Sequence, residues 1–395
     1  MNLFPIALPA LTEAAAEPPS GDVGNPATDF LQGLLPEAVP WWMLTLLGAG
    51  LAFAAVMLFV TVIAMFSVWL ERKVAGHIQV RLGPMRVGGW HGWAQSIADG
   101  VKLLLKEDLA PEGSDKVLFK LAPMLVLATA LATFVALPFA PGLVIADVDL
   151  GVFFILAVSS VTTIGVIMAG WGSNNKWSVY GAMREAAQVA SYEIPLGLSL
   201  LPPILYFGSF SLVDASAQQA GIGAWAETSG QWFGMAWYIL DPTRWLVSIP
   251  SFLIFFIALL AETKRAPFDL PESESELVAG FHTEYSGMRF SFFFLEEYAA
   301  MFVMGIVGVC FWFGGYSFPG ITALEPGPLL TFLSILSFTV KGLLMVFVMM
   351  WVRWTLPRIR IDQVMSLGYK YLTPLALALV FVASLIEYFA FVIAG

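Results

Sequence analysis

Runs of ~20 apolar residues recur along almost the whole chain, at 43–70, 118–140, 151–171, 185–207, 244–262, 290–313, 329–352 and 372–393, and nothing constrains its fold more. Hydrocarbon offers no water to an unpaired backbone N–H or C=O, so a chain with eight such runs must close its hydrogen bonds inside helices. Composition agrees. The chain of 395 residues is 58% hydrophobic and 12% charged, about half the charged share of an ordinary soluble domain. The reading is an all-α integral membrane protein with eight transmembrane helices and one amphipathic interfacial helix.

Residues 1–42 are the exception. They are rich in Pro, Ala and Gly, carry Glu13, Glu17, Asp22, Asp29 and Glu37, and contain no Lys or Arg. They read as an acidic tail, with 43–395 as the membrane domain. A signal peptide is not expected, because the first basic residue is Arg72. Seventeen of the nineteen basic residues fall after spans one, three, five and seven; Arg244 is opposite and Lys341 mid-span. The positive-inside rule then predicts cytoplasmic basic loops and both termini outside the cytoplasm. The net charge of −10 comes from the tail and acidic loops, and nucleic acid is not an expected partner. Cys310 is the single cysteine, so a redox centre held by cysteines must belong to a partner. No internal repeat of clear period marks a transporter.

Between spans one and two, "WHGWAQSIADGVKLLLKED" places Trp90, Trp93, Ala94, Ile97, Val101, Leu104 and Leu105 on one helical face. The spacing predicts a helix over 90–106 lying along the membrane surface, either as an anchor or lining a ligand path.

Charge inside the spans needs a reason, since each charged residue at mid-helix costs roughly 2.5–3.5 kcal/mol on insertion scales. Glu193 lies ~13 Å along span four from Arg184, two residues before Pro195, whose missing N–H leaves the Ser191 carbonyl free. A protonated Glu193 could donate there and exchange a proton when a neighbouring charge changes; the bland reading is an interhelical hydrogen bond. Lys341 could be a charge partner for such a carboxylate. Glu71, followed by Arg72 and Lys73, reads as a boundary ion pair. Glu296 and Glu297 open span six, and ~100° separates adjacent helical side chains, so at least one should face the interior.

The densest acidic stretch is "AETKRAPFDLPESESELVAGFHTEY", in the loop 261–289 after span five, with Glu262, Asp269, Glu272, Glu274, Glu276 and Glu284. Closely spaced carboxylates repel and titrate as a group, which suits storing and passing protons, although a solvated acidic loop explains the run equally simply. "GIGAWA" at Gly221–Ala226 matches a dinucleotide pattern but has no strand before it. His77, His91 and His282 lack ligand spacing, so no metal site is expected.

The stretches "ERKVAGHIQVRLGPMRVG", "ADGVKLLLKED", "AQVASYEIPL", "AETKRAPFDLPESESELVAGFHTEYSG" and "RWTLPRIRIDQVMSLGYKYLTPLAL" resemble the H subunit of bacterial NADH–quinone oxidoreductase, respiratory complex I. The resemblance runs in order from about Trp41 to Gly395; the tail and the loop near 212–241 lie outside its motifs. It implies a proton-translocating respiratory enzyme of the bacterial inner membrane. This chain would form the quinone-entry channel beside peripheral-arm iron–sulfur and quinone-site subunits, and would adjoin antiporter-like membrane-arm subunits. Quinone, expected as ubiquinone, is the substrate; FMN and iron–sulfur clusters belong to partners, and this chain holds no cofactor.

The resemblance further implies a quinone channel lined by the surface helix, span one and the loop after span five, with Arg72, Arg81, Trp90, Trp93 and Phe268. It assigns Glu71, Asp99, Glu193, Glu262, Asp269, Glu272, Glu274, Glu276, Glu284 and Glu297 to a proton or charge relay toward the pumping subunits. Two other readings remain open at this level: the related membrane subunit of an ion-translocating hydrogenase, and a stand-alone ion-coupled transporter.

Overall fold

The computed structural model describes residues 41–220, 237–271, 274–325 and 327–394. The tail up to residue 40, "GIGAWA" and Glu272 lie outside them. Among the described residues there are α-helices, short 3-10 turns, one π turn and no strand. The membrane-length helices are α1 (Trp41–Ile78), α3 (Lys116–Thr133), α4 (Gly151–Gly172), α5 (Lys176–Phe207), α7 (Trp245–Glu262), α9 (Gly287–Trp312), α10 (Pro328–Thr355) and α12 (Thr373–Ala394). Short helices are α2 (Gln95–Leu105), α6 (Leu212–Ala220), α8 (Glu274–Leu277) and α11 (Ile361–Ser366). Seven segments are long and apolar enough to cross a membrane; α5 with α6, bent by 52°, supplies an eighth. The protein is an all-α integral membrane protein.

By contacts the chain divides into Met1–Phe53, described only as the first turns of α1, and Ala54–Gly395, which holds every residue discussed below. Within the larger unit the helices differ in how far they are enclosed. In α9, 78% of the apolar window is buried, against 17% for the last span, Ile361–Phe389. So α9 is the central helix. Phe302, Phe311 and Trp312 of α9 pack with Phe255 of α7 and Phe338 of α10. Lipid tails are as apolar as these side chains, so the gain comes from close packing and from contacts such as the Phe59–Phe302 ring pair at 5.6 Å. Such edge contacts contribute about 0.5–1.5 kcal/mol each.

Helix ends depart from the sequence reading where polar residues are buried in protein. α5 starts at Lys176, with Asn175 accepting from the Trp177 N–H as its cap, so the run expected from 185 begins earlier and Glu185 sits in its third turn. The surface helix begins at Gln95, not Trp90, because His91 (φ 55°) and Gly92 (φ 65°) are left-handed and break the path. The first nine residues of the loop near 212–241 are helical, as α6.

The loop after α7 is packed down rather than free. A Cβ on Gly181 of α5 would stand 2.9 Å from the Phe281 backbone N, so the turn Gly280–His282 presses against α5 at a point that only glycine admits. Tyr285 stacks on Phe119 of α3 at 4.1 Å and donates to the Phe119 carbonyl at 3.2 Å. Among the described residues Lys341 does not meet a carboxylate. Its Nζ donates to the carbonyls of Phe313 (2.7 Å), Gly315 (3.0 Å) and Ser317 (2.5 Å) just past the end of α9, and it lies 4.3 Å from the Trp237 ring centroid. These are carbonyls of the C-cap and of the turn that follows it, in front of a helix C-terminus, where a cation is favourable.

Candidate functional site

Four elements converge on the start of the loop after α7. α1 carries Glu71, α5 carries Glu185 and Glu193, α9 carries Glu296, Glu297 and Tyr298, and α10 carries Arg353. Between them the chain leaves α7 at Glu262 and turns through Thr263, Lys264 and Arg265, all three buried. Lys264 has φ 56°, a left-handed backbone unfavourable for a residue with a Cβ. That turn points two consecutive cations inward.

Each cation finds its own pair of carboxylates. Arg265 approaches Glu71 at 3.4 Å and Glu297 at 2.9 Å, with its guanidinium 4.7 Å from the Tyr298 ring centroid. Glu71 also accepts from Tyr298 Oη at 2.5 Å and from Arg353 at 2.6 Å. Two anions and two cations thus balance in this cluster. Lys264 lies 2.7 Å from Glu185 and 3.7 Å from Glu296. Burial works to lower its ammonium pKa, but Glu185 and Glu296 outweigh burial and raise it well above the ordinary lysine value. Consecutive residues on the loop, Lys264 and Arg265, therefore meet consecutive residues on α9, Glu296 and Glu297.

The cluster opens onto a cavity of ≈ 520 Å³ lined by Glu71, Arg72, Arg81, Leu82, Pro84, Phe294, Tyr298, Arg353 and Trp354, among others. Its wall folds back on the end of α1 because Arg81 N–H bonds to the Gly76 carbonyl at 2.8 Å. Gly76 permits this approach: a Cβ there would stand 2.9 Å from Gly83 N. Three guanidinium groups beside apolar walls suit a ligand with a polar head and an apolar body.

Of the expected relay residues, the structure brings Glu71 and Glu297 together on Arg265. Glu193 does not turn into the notch at Ser191. It accepts from Ser160 of α4 at 2.6 Å, while the notch is filled by Gly368, where a Cβ would stand 3.1 Å from the Ser191 carbonyl oxygen. Glu262 lies within the electrostatic field of Glu193. The others are paired separately: Asp99 with Arg72 at 2.5 Å, Asp269 with Arg358 at 3.6 Å, Glu276 with Arg184 at 2.5 Å, and Glu284 with Asn175 at 2.6 Å. Glu274 lies in α8.

Arg72 and Arg81 line the cavity. Phe268 does not: it is buried in the core, 5.2 Å from the Tyr192 ring. Trp90 and Trp93 do not line it either and are 81% and 59% exposed. Sequence reasoning misses Glu185, Lys264, Arg265, Tyr298 and Arg353 as site residues. In the sequence the cations signal only topology, and Glu185 only a span boundary. The signal available is "ETKR" set directly against the end of a span with no solvated spacer. Among the described residues no group of three or more His, Cys, Asp or Glu is placed to hold a metal.

The class these features define is a multi-pass membrane protein with a buried chain of charges beside a cavity. Residues 51–384 match the family model described as NADH dehydrogenase. The chain is 42% identical over 363 residues to the NADH-quinone oxidoreductase H subunit of Chlorobaculum parvum, covering 89% of this chain and 94% of that one. It is 46% identical over 341 residues to the H subunit of the same enzyme from Anaeromyxobacter dehalogenans (83% and 79%). Against that of a Geobacillus species it is 43% identical over 360 residues (91% and 99%). The chain belongs to the H-subunit family of NADH–quinone oxidoreductase, and is an enzyme subunit of the membrane part of complex I.

Proposed function

We propose that this chain forms the quinone-entry channel of a proton-pumping NADH–quinone oxidoreductase and relays the energy of quinone reduction through buried carboxylates toward proton-translocating subunits. The observation that carries this reading is Glu71: it lines the cavity and is also bound to Arg265, Arg353 and Tyr298. A charge change in the cavity is felt there in a medium of low dielectric, where Coulomb interactions reach further than in water. Arg265 hands the change to Glu297, and the neighbouring Lys264 to Glu185 and Glu296. Glu262 and Glu193 continue the path toward α4 and α5. Asp99, Asp269, Glu276 and Glu284 lie on the loop and α2 side, where they connect it to the aqueous phase; Glu272 and Glu274 belong to the same acidic run of the sequence.

Quinone, expected as ubiquinone, is the substrate, with Arg72 and Arg81 at its polar head. Electrons come from iron–sulfur clusters and FMN of other complex I subunits; the peripheral-arm subunits cover the cavity mouth, and antiporter-like subunits receive the relayed charge. The exposed apolar face of α2, with Ile97, Val101, Leu104 and Leu105, then lies on lipid or on a partner. The basic loops face the cytoplasm and both termini the periplasm. E193Q and E276Q in the assembled complex should each lower quinone reduction and proton pumping while assembly persists. Wild-type turnover and pumping in both would remove this reading. A preparation active without flavin, iron–sulfur centres or quinone would favour the stand-alone transporter instead.

A further inference from the structure

The two buried clusters differ in charge balance. Glu71 and Glu297 are matched by Arg265 and Arg353, whereas Glu185 and Glu296 share the single ammonium of Lys264. All three members of the second set are nearly inaccessible: Glu185 is 0%, Glu296 5% and Lys264 7% exposed. Glu185 Oε2 is buried and receives no hydrogen bond among the described residues. A surplus carboxylate with an unsatisfied oxygen is costly in a protein interior, and the simplest relief is a proton.

We infer that the Glu185–Lys264–Glu296 triad holds one exchangeable proton, shared between its two carboxyl groups, and forms a relay site in addition to Glu71 and Glu297. The step is a proton transfer only: one carboxylate becomes a carboxylic acid and the triad passes from a formal charge of −1 to neutral. The other titratable groups within its field are Arg265, Glu297, Glu262 and His282. Of these, Arg265 also acts on Glu296 but is ion-paired with Glu71 and Glu297, and Glu262 adds a further negative charge. Because Lys264 and Arg265 are consecutive, a shift of Arg265 toward or away from Glu71 moves the cation that both triad carboxylates depend on. Lys264 is thereby a positioning group and Glu185 and Glu296 are proton-holding groups, with no contact to substrate.

The inference rests on the relay reading above for its role, though not for its chemistry. The test uses the whole purified complex, with E185Q and E296Q read two ways: the infrared difference spectrum between oxidised and quinone-reduced states, and the pH profile of proton pumping. The expected result is loss of one protonated-carboxyl band in at least one variant, with the pumping profile displaced by about one pH unit. An unchanged carboxyl spectrum and profile in both variants would overturn it and leave the triad a plain ion pair. If E185Q blocks assembly, E296Q carries the test. If both block it, the charges are needed for folding as fixed charges, which also overturns the inference. E193Q in the same assays separates the two readings: wild-type pumping there counts against the relay, whatever the infrared spectrum of the triad.

Discussion

Two lysines lie within this bundle, Lys264 buried and Lys341 half-buried, and they are held in opposite ways. Lys264 sits in a turn between α7 and α8 and meets two carboxylates, one from α5 and one from α9. Lys341 sits inside α10 and meets three backbone carbonyls past the end of α9. Carbonyl oxygens cannot be protonated, so the second arrangement has one charge state of its partners and acts as a clamp. Carboxylates can be, so the first has several. The comparison separates a lysine whose partners keep one charge state from one whose partners can change theirs.

The largest effect should come from K264M, which removes the one cation set between Glu185 and Glu296; loss of one partner of a buried pair costs about 3–5 kcal/mol. Thermal melting of the purified complex checks it, and melting close to wild type would place those carboxylates in water. A similar size is expected for the acid response of His282. Burial first, and the Lys264 charge second, hold its imidazole down to about 4. A histidine that stays neutral in the fold gives stability that is complete above its unfolded value of 6.5 and is lost as pH falls from there toward 4. H282Q should therefore narrow the stability difference between pH 7 and pH 4, by about 3 kcal/mol at most. Identical acid curves for the two proteins would show that the imidazole is already solvated.

Y298F removes one charge-assisted hydrogen bond to Glu71 and should cost about 1.5–3 kcal/mol, with quinone reduction falling because Tyr298 also borders the cavity. K341M comes last. It leaves no charge unpaired, and the Ser317 carbonyl keeps the Ser337 hydroxyl at 3.2 Å, so a loss of about 1 kcal/mol is expected, with pumping per quinone unchanged. If K341M uncoupled pumping as strongly as K264M, the distinction between clamp and switch would fail.

Much of the fold was legible because lipid leaves the backbone no alternative to helices: the apolar runs gave eight spans, each matched by a helix within several residues or, for span four, by an earlier start. The boundaries slipped where protein, not lipid, surrounds the helix. There a polar residue such as Glu185 no longer marks the end of a span. Part of the site was legible from composition, since Glu71, Glu193 and Glu297 stand out as charge in oil. Their partners were not. Lys264 and Arg265 follow the span as a cytoplasmic basic pair would, and only the left-handed turn at Lys264 reveals that they point inward. The carbonyls that hold Lys341 have no side-chain signature at all. Phe268, expected by resemblance on the channel, lies 5.2 Å from the Tyr192 ring of α5, a contact without a signal in the sequence.

The central claim is that charge passes from the cavity at Glu71 to α9 by way of Arg265. Its most direct measurement is the ratio of protons translocated to quinone reduced, in liposomes holding the complex with E297Q. The prediction is that quinone is still reduced while the ratio falls several-fold. A ratio equal to wild type, with Glu297 no longer able to carry charge, would contradict the account.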